Sequence, residues 1–386
     1  MKVALVHELL TMKGGAEKVL RILAQMFPEA PIYTLLYDEK KLGDWFPKER
    51  ITTSNIQRSA ERFSHSPFSI LHSPFDHHLY LKRFPAAVES WDFSGFDLVL
   101  SSSSAFAHGI ITNGRPQHLC YVHSPARYLW DRTHEVMERA GKGLLGPLKR
   151  AFLSHAFHKL RVWDAEAADR PDLLLAASRT VQRRIELYWR CESTVVHPPI
   201  DDFWLQAPPS PMVGGAGGGG AGAYFFLAST LVPYKRIELA IGAARILNVP
   251  LKIAGEGPDR GRLESLAGPT VEFLGYRREE ELRGLYAGAQ ATLFPGDEDF
   301  GLVPLESLAC GTPVIAFAGG GAEETLDART AAFFTQPTET SLAASMERFP
   351  TMVFSPDLCR ARAREFSRPR FEAAIRTAVQ GLMGHD

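Results

Sequence analysis

Two glutamates, Glu298 and Glu306, stand with seven residues between them in the stretch GDEDFGLVPLE, directly after the apolar run Ala291–Phe294. The run reads as a strand, Pro295-Gly296 breaks it, and Pro304 suits the first turn of a helix. Glu298 is therefore expected on a loop and Glu306 on the helix, both at the carboxyl edge of a sheet, where open α/β sheets take ligands. Two carboxylates there can accept hydrogen bonds from adjacent hydroxyls of a polyol, and backbone N–H groups around Phe300-Gly301 can meet anionic oxygens. Paired acids also suit acid/base catalysis or, with Asp297 and Asp299, a cation. A solvated acidic loop before a helix fits the same residues.

Four further stretches carry chemistry. In LASTLVPYKR a strand passes through Pro233 into a helix with Lys235 and Arg236 at its entrance, a ready site for a diphosphate or simply a solvated basic pair. In GGAEKVL, Gly14-Gly15 join the first strand to the first helix, where glycine permits close approach of backbone to a ligand or makes a plain tight turn. In YVHSPARYLWD, His123 ends a strand and can line a cleft or serve the framework. In AGGGAEETL, Gly319–Gly321 open a helix after another strand, as a ligand contact or a turn. His155 and His158 share a helical face, but no third ligand is placed, so zinc is not expected.

The elements that position these residues alternate twice between short apolar runs and helix-period segments, the pattern of an α/β protein with parallel sheets covered by helices. The first set places strands at Val3–Val6, Leu98–Ser101, Leu119–His123, Leu173–Ala177 and Thr194–His197, with a helix at Ala16–Met26. The second places strands at Tyr224–Ala228, Leu251–Ala254, Val271–Leu274, Ala291–Phe294 and Val314–Ala316. Its helices are expected near Ile237–Leu247, Asp259–Leu266, Glu279–Tyr286 and Leu305–Cys310. Between the sets, 207–223 is proline-rich and then nearly pure glycine and alanine, so it reads as a linker. Its formal G-x-G-x-x-G follows prolines and precedes a strand, the wrong context for a dinucleotide loop. The expected domains are 1–206 and 224–364, with a C-terminal helix in 365–386 that caps the second domain or crosses back to the first.

Hydrophobic residues make up 45% and charged residues 23% of 386, the balance of a folded globular protein. Forty-three basic against forty-four acidic residues give a formal charge of −1, so no global field recruits nucleic acid. The cysteines Cys120, Cys191, Cys310 and Cys359 form no C-x-x-C pair, which suits a reducing cytosol. The apolar run before His7 is too short for a signal-peptide core, and no stretch approaches a membrane span.

Together, Glu298-x7-Glu306, the Lys235 helix start, the Gly14-Gly15 loop and the two α/β units resemble the retaining glycosyltransferases of family 4 over almost the whole chain. GGAEKVL, HSPARYLWD, VVHPPID and LVPYKRIELAI resemble in particular a bacterial mannosyltransferase branch that builds O-antigen and exopolysaccharide repeats. The resemblance implies a GT-B fold, two Rossmann-like domains facing an interdomain cleft, with the first presenting the acceptor and the second holding a nucleotide-sugar. It implies that Glu306 holds the ribose, Glu298 and His123 meet the transferred sugar, and Lys235, Arg236 and the Phe300, Gly301, Leu302 and Val303 backbone bind the diphosphate. Gly14 and Gly15 would approach the phosphates from the other domain, and no metal or other cofactor is expected.

The family usually has Gly-Arg where Ser229-Thr230 stand, so one cation on the diphosphate is missing at Thr230 unless Arg236 or another arginine substitutes. A lysine often found at the position of His108 is also absent. GDP-mannose is the expected donor, with UDP-glucose or UDP-galactose as the enzymatic alternative and a non-catalytic nucleotide-sugar binder as another class. The expected acceptor is a glycan or lipid-linked glycan. Lys142, Lys149, Arg150, Lys159 and Arg161, interleaved with Leu144, Leu148, Phe152, Phe157 and Trp163, make a basic amphipathic segment that suits peripheral contact with the cytoplasmic face of the inner membrane. An ordinary packed helix with a basic outer face fits them too.

Overall fold

The computed structural model describes residues 1–64, 77–141, 146–206 and 224–384. The linker expected at 207–223 and the residues Lys142 and Leu144 lie outside the described residues. The chain divides into two compact units, Met1–Val196 with Glu372–Asp386, and His197–Phe371.

The first unit is built on a seven-stranded sheet: β1 (Val3–Leu10), β2 (Ile32–Tyr37), β3 (Ile51–Thr53), β4 (Leu98–Ser103), β5 (Gln117–Val122), β6 (Leu173–Ala176) and β7 (Thr194–Val195). The order is β3-β2-β1-β4-β5-β6-β7, with every pair parallel. β1 and β4 are buried along nearly their whole length, because helices cover both faces of a parallel sheet. Val6, Val99 and Leu36 pack with Phe84, Phe93, Phe106, Phe157 and Leu160 in one core.

The second unit has a six-stranded parallel sheet: β8 (Phe225–Ala228), β9 (Leu251–Ala254), β10 (Val271–Gly275), β11 (Ala291–Phe294), β12 (Val314–Phe317) and β13 (Ala331–Phe334). Its order is β10-β9-β8-β11-β12-β13. One core lies on each face, the first around Ile241, Leu251 and Leu293, the second around Phe226, Tyr286, Leu305 and Trp204. Both sheets reverse direction once, at β1/β4 and at β8/β11, which is the doubly wound Rossmann arrangement.

The structure differs from the sequence reading at several strands. β2, β3 and β13 were not foreseen, and β1 runs on to Leu10 through His7 and Glu8, because both polar side chains are buried and hydrogen-bonded or paired. β7 stops at Val195. Residues 197–206 are counted with the second unit: Ile200 bridges Ser367, and the Trp204 ring meets Tyr286 at 5.7 Å.

Helix Gly146–Ala167 carries the basic amphipathic segment. Phe157 is core, whereas Leu148 and Phe152 are 70% and 58% exposed. No described helix is long and apolar enough to cross a membrane.

Candidate functional site

The loops leaving β8 and β11 start on either side of the strand-order reversal, where doubly wound sheets take ligands. The β8 loop passes Ser229 and Thr230 to a tight 3-10 turn, Pro233–Lys235. Arg236 follows in the left-handed region, φ 51°, and helix Ile237–Leu247 begins. The β11 loop carries Glu298 and ends at Gly301, φ 88°, from which helix Leu302–Ala309 starts. That helix begins three residues before the expected Leu305, so Leu302 and Val303 lie in its first turn, where their N–H groups have no helical acceptor.

Lys235 Nζ lies 2.6 Å from Glu298 Oε1, and both side chains are mostly buried. The two residues singled out from separate motifs thus share one position. Glu306 Oε2 accepts a 3.2 Å hydrogen bond from the Tyr286 hydroxyl. Burial, and then the Glu306 charge, raise the Tyr286 phenol well above its usual range, so it remains a neutral donor. Phe300 is buried; the His197 ring stacks on it at 5.5 Å and Phe366 meets it edge-on at 5.6 Å. His197 Nε2 is in turn 3.1 Å from Glu324 Oε2.

Gly319–Gly321 have a visible framework role. The Gly321 N–H donates to the Glu298 carbonyl at 2.8 Å. Gly320 has φ 60°, and a Cβ there would overlap the same carbonyl oxygen. Thr230 is exposed, and its carbonyl accepts from the Val232 N–H at 2.9 Å and the Ser229 hydroxyl at 3.1 Å. The Arg236 guanidinium packs 5.5 Å from the Phe317 ring centre, with Nη1 buried and no hydrogen-bond partner to it among the described residues.

In the first unit a second polar constellation occupies the corresponding reversal. His7 on β1 pairs in register with Ser102 on β4. His7 Nδ1 is 3.0 Å from the Ser102 carbonyl and 3.1 Å from its Oγ, and Ser102 Oγ is 2.8 Å from His123 Nε2. On the other side, His7 Nε2 is 3.7 Å from Glu17 Oε1, and Glu17 Oε2 accepts the Gly14 N–H at 3.0 Å. Gly14 has an ordinary φ of −118°, but a Cβ there would stand 2.6 Å from Glu17 Oε2. The close approach that glycine permits at position 14 is therefore made by the helix's own capping carboxylate; Gly15 is the first residue of that helix.

Burial opposes charge on His7, yet the Glu17 and Glu8 carboxylates outweigh it and its pKa is raised. His123 is pushed down to about 3 by burial and then by His7. The rest of its stretch goes into the framework: Arg127 Nε and Arg184 Nε hold Asp131 at 3.1 and 3.3 Å, and Trp130 Nε1 donates to Asp164 at 2.8 Å. His108 is core, stacked on Trp189 at 4.5 Å. A cavity of about 710 Å³ between helices Thr133–Ala140 and Gly146–Ala167 is lined by Trp130, His134, Met137, Arg150 and Arg161, and by none of the expected site residues.

His7, Glu17, Ser102, Tyr286 and His197 were not singled out in the sequence as site residues. Continuing the β1 alternation past Val6 would have flagged His7; nothing local marks Ser102 or Tyr286, which are reached only through β-pairing and helix packing.

Residues 220–365 match the family of glycosyl transferases group 1. A GDP-mannose-dependent alpha-mannosyltransferase of Mycobacterium tuberculosis is 34% identical over 165 residues, 40% of each chain. A GDP-mannose-dependent alpha-(1-6)-phosphatidylinositol dimannoside mannosyltransferase of the same species is 52% identical over 68 residues, 17% of this chain and 18% of that protein. The matched stretches thus span less than half the length of these relatives. Among solved structures, Anabaena HepE in complex with UDP aligns with TM-score 0.69 and 17% identity over 99% of this chain and all of that one. Sucrose-phosphate synthase from Thermosynechococcus elongatus aligns with TM-score 0.64 and 18% identity over 97% of this chain and 94% of that one. Most of the second unit, residues 220–365, thus matches the glycosyl transferases group 1 family, and the chain has the GT-B fold.

Proposed function

We propose that this protein is a retaining glycosyltransferase of family 4 that transfers mannose from GDP-mannose to a glycan acceptor, polyprenyl-diphosphate-linked or free, in bacterial polysaccharide synthesis. The observation that carries the reading is the Lys235–Glu298 pair at the β8/β11 reversal, with Glu306 on the adjoining helix. The mannosyltransferases similar to it over part of their length support the choice of donor.

In this reading Glu306 accepts from the ribose hydroxyls, and Glu298 accepts from hydroxyls of the transferred sugar. An ammonium has three N–H donors; with one toward Glu298, Lys235 turns the others to the diphosphate, together with the Leu302 and Val303 N–H groups. The bond between the anomeric carbon and the phosphate oxygen breaks, and the acceptor oxygen bonds to that carbon on the same face. The acceptor proton passes to the departing phosphate. Fixed positive charge and N–H dipoles aimed at that leaving group are often the largest catalytic contribution. No step assigned here needs a metal. Within the first unit, His123 and the Gly14-Gly15 turn stand at the carboxyl edge of its sheet, after β5 and β1, the edge where such sheets take ligands. Exposed Leu148 and Phe152 beside Lys149 and Arg150 suit a peripheral position on the cytoplasmic face of the inner membrane.

A panel of nucleotide-sugars, read by thermal shift and by nucleotide release, tests the reading. GDP release from GDP-mannose on addition of a glycan acceptor is expected. A strict UDP preference would transfer the reading to a UDP-hexose donor, which the likeness to UDP-bound HepE favours. Binding with no release on any acceptor would leave a nucleotide-sugar binder.

A further inference from the structure

We propose that Glu17, His7 and Ser102 form a relay, an ion pair followed by hydrogen bonds, that ties the Gly14 backbone to His123 and holds the His123 ring with its proton on Nδ1. Its effect on turnover rests on the glycosyltransferase reading above; the relay itself does not.

The direction of the first bond follows from what its atoms can do. A carbonyl only accepts, so His7 Nδ1, 3.0 Å from the Ser102 carbonyl, carries a hydrogen and donates. The same N–H is 3.1 Å from Ser102 Oγ, which receives it as a shared acceptor. In this proposal the Ser102 hydroxyl hydrogen goes to His123 Nε2 at 2.8 Å, the direction that the tautomer measurement below decides. A nitrogen that accepts is unprotonated, and a neutral imidazole carries its hydrogen on the other nitrogen, here Nδ1.

At the far end, the second His7 nitrogen faces Glu17 Oε1 at 3.7 Å, an arrangement that suits an imidazolium beside a carboxylate. The other oxygen of Glu17 holds the Gly14 N–H, the first backbone group of the turn into helix Gly15–Met26. His7 and Ser102 are buried and lie opposite one another in the β1/β4 ladder, so the relay is fixed by the register of the sheet rather than by surface side chains. Glu17 is also buried. His7 meets His123 edge-on with ring centres 6.4 Å apart, and Tyr121 meets His123 at 5.2 Å, which restrains the ring further.

The consequence is a division of labour. His123 is the group that meets substrate, as a neutral N–H donor to a sugar oxygen through Nδ1. Ser102, His7 and Glu17 are positioning residues that set this tautomer and couple it to the geometry of the Gly14-Gly15 turn.

The test is nitrogen-15 spectroscopy of histidine-labelled protein, with the His123 signals assigned by their loss in His123→Asn. The expected spectrum has Nε2 bare and Nδ1 protonated in the native protein, and a shift toward the mixed tautomers of free imidazole in Ser102→Ala. A protonated Nε2 in the native protein, or an unchanged His123 spectrum in Ser102→Ala, would overturn the relay. Ser102→Ala removes one hydroxyl and keeps the carbonyl that His7 uses, and its folded fraction is checked by urea unfolding.

With an active donor and acceptor in hand, Ser102→Ala should lower kcat about tenfold, equivalent to roughly 1.4 kcal/mol, with the donor KM within a factor of about two. An unchanged kcat would overturn the positioning role. Should no nucleotide-sugar turn over at all, the function reading falls, while the spectrum still decides the relay.

Discussion

Lys235 and Glu298 form a 2.6 Å ion pair across the strand-order reversal of the second sheet, the lysine from the loop after β8 and the glutamate from the loop after β11. In the proposed function the pair is a cation for the leaving diphosphate and an acceptor for hydroxyls of the transferred sugar. Replacing Lys235 by Ala should lower kcat by roughly 10²–10³-fold, the usual loss for one donor aimed at developing negative charge. Steady-state kinetics with saturating donor would check it; a near-native kcat would remove Lys235 from the mechanism.

Glu306 is expected to act on the nucleotide rather than on the reacting bond. Glu306→Gln keeps an oxygen for the Tyr286 hydroxyl but removes the charge. The loss of charge-assisted bonds, about 1.5–3 kcal/mol in all, should raise the donor Kd by roughly tenfold to a hundredfold, with kcat changing less. Calorimetric titration with the free nucleoside diphosphate measures this directly, and equal affinity in both proteins would count against the ribose role.

Gly320→Ala should damage both stability and turnover. The backbone there has φ 60°, and the new methyl would meet the Glu298 carbonyl oxygen. The left-handed conformation alone costs a residue with a Cβ about 1–2 kcal/mol. Gly261→Ala is the matched control: it lies in helix Arg260–Leu266 with nothing within 4 Å of the added carbon, and should be stabilising by roughly 0.5–1 kcal/mol. Chemical denaturation of the two variants should therefore move the midpoint in opposite directions.

Acid should unfold the first unit through its buried neutral histidines. His118 is fully buried, 2.7 Å from the Ser101 hydroxyl, and burial, then the nearby His108, push its pKa down to about 3. In the unfolded chain it titrates near 6.5. Between those values the unfolded chain binds the extra proton, so the contribution is whole above about pH 6.5 and drains as pH falls toward the folded value. His118→Phe should cost roughly 1–3 kcal/mol at neutral pH by removing the imidazole from the buried Ser101 hydroxyl. From about pH 7 to about pH 5 it should lose some 2 kcal/mol less than the native protein. Urea unfolding at several pH values would reveal parallel profiles if His118 is not the titrating group.

The sequence made the second unit far more legible than the first. Its strands are short, mostly apolar runs punctuated by Gly and Pro, so Ala291–Phe294, Leu251–Ala254 and helix Ile237–Leu247 were located to the residue. The loop position of Glu298 and the helical position of Glu306 followed from Pro295-Gly296 and Pro304. The first unit was less readable because polar residues are buried inside its strands. His7 and Glu8 end the apolar run of β1 on paper, yet each is buried, His7 held by Ser102 and Glu17 and Glu8 by the Ser104 N–H. β3 is three residues long and only partly buried, and takes its identity from pairing with β2. The Ser102 hydroxyl between two histidines depends on a β1/β4 register spanning 95 positions, which no local pattern encodes.

Helix Arg368–Met383 gives the protein an order of assembly. Its first residues are counted with the second unit and the remainder, from Glu372, with the first. As the chain leaves the ribosome, residues 1–196 appear early but lack this final piece until everything between has been made. The second unit can close as soon as Phe371 is clear, whereas the first unit finishes last although it begins first. A stalled or clipped product ending near residue 370 would therefore carry a nearly whole second unit attached to an unfinished first one.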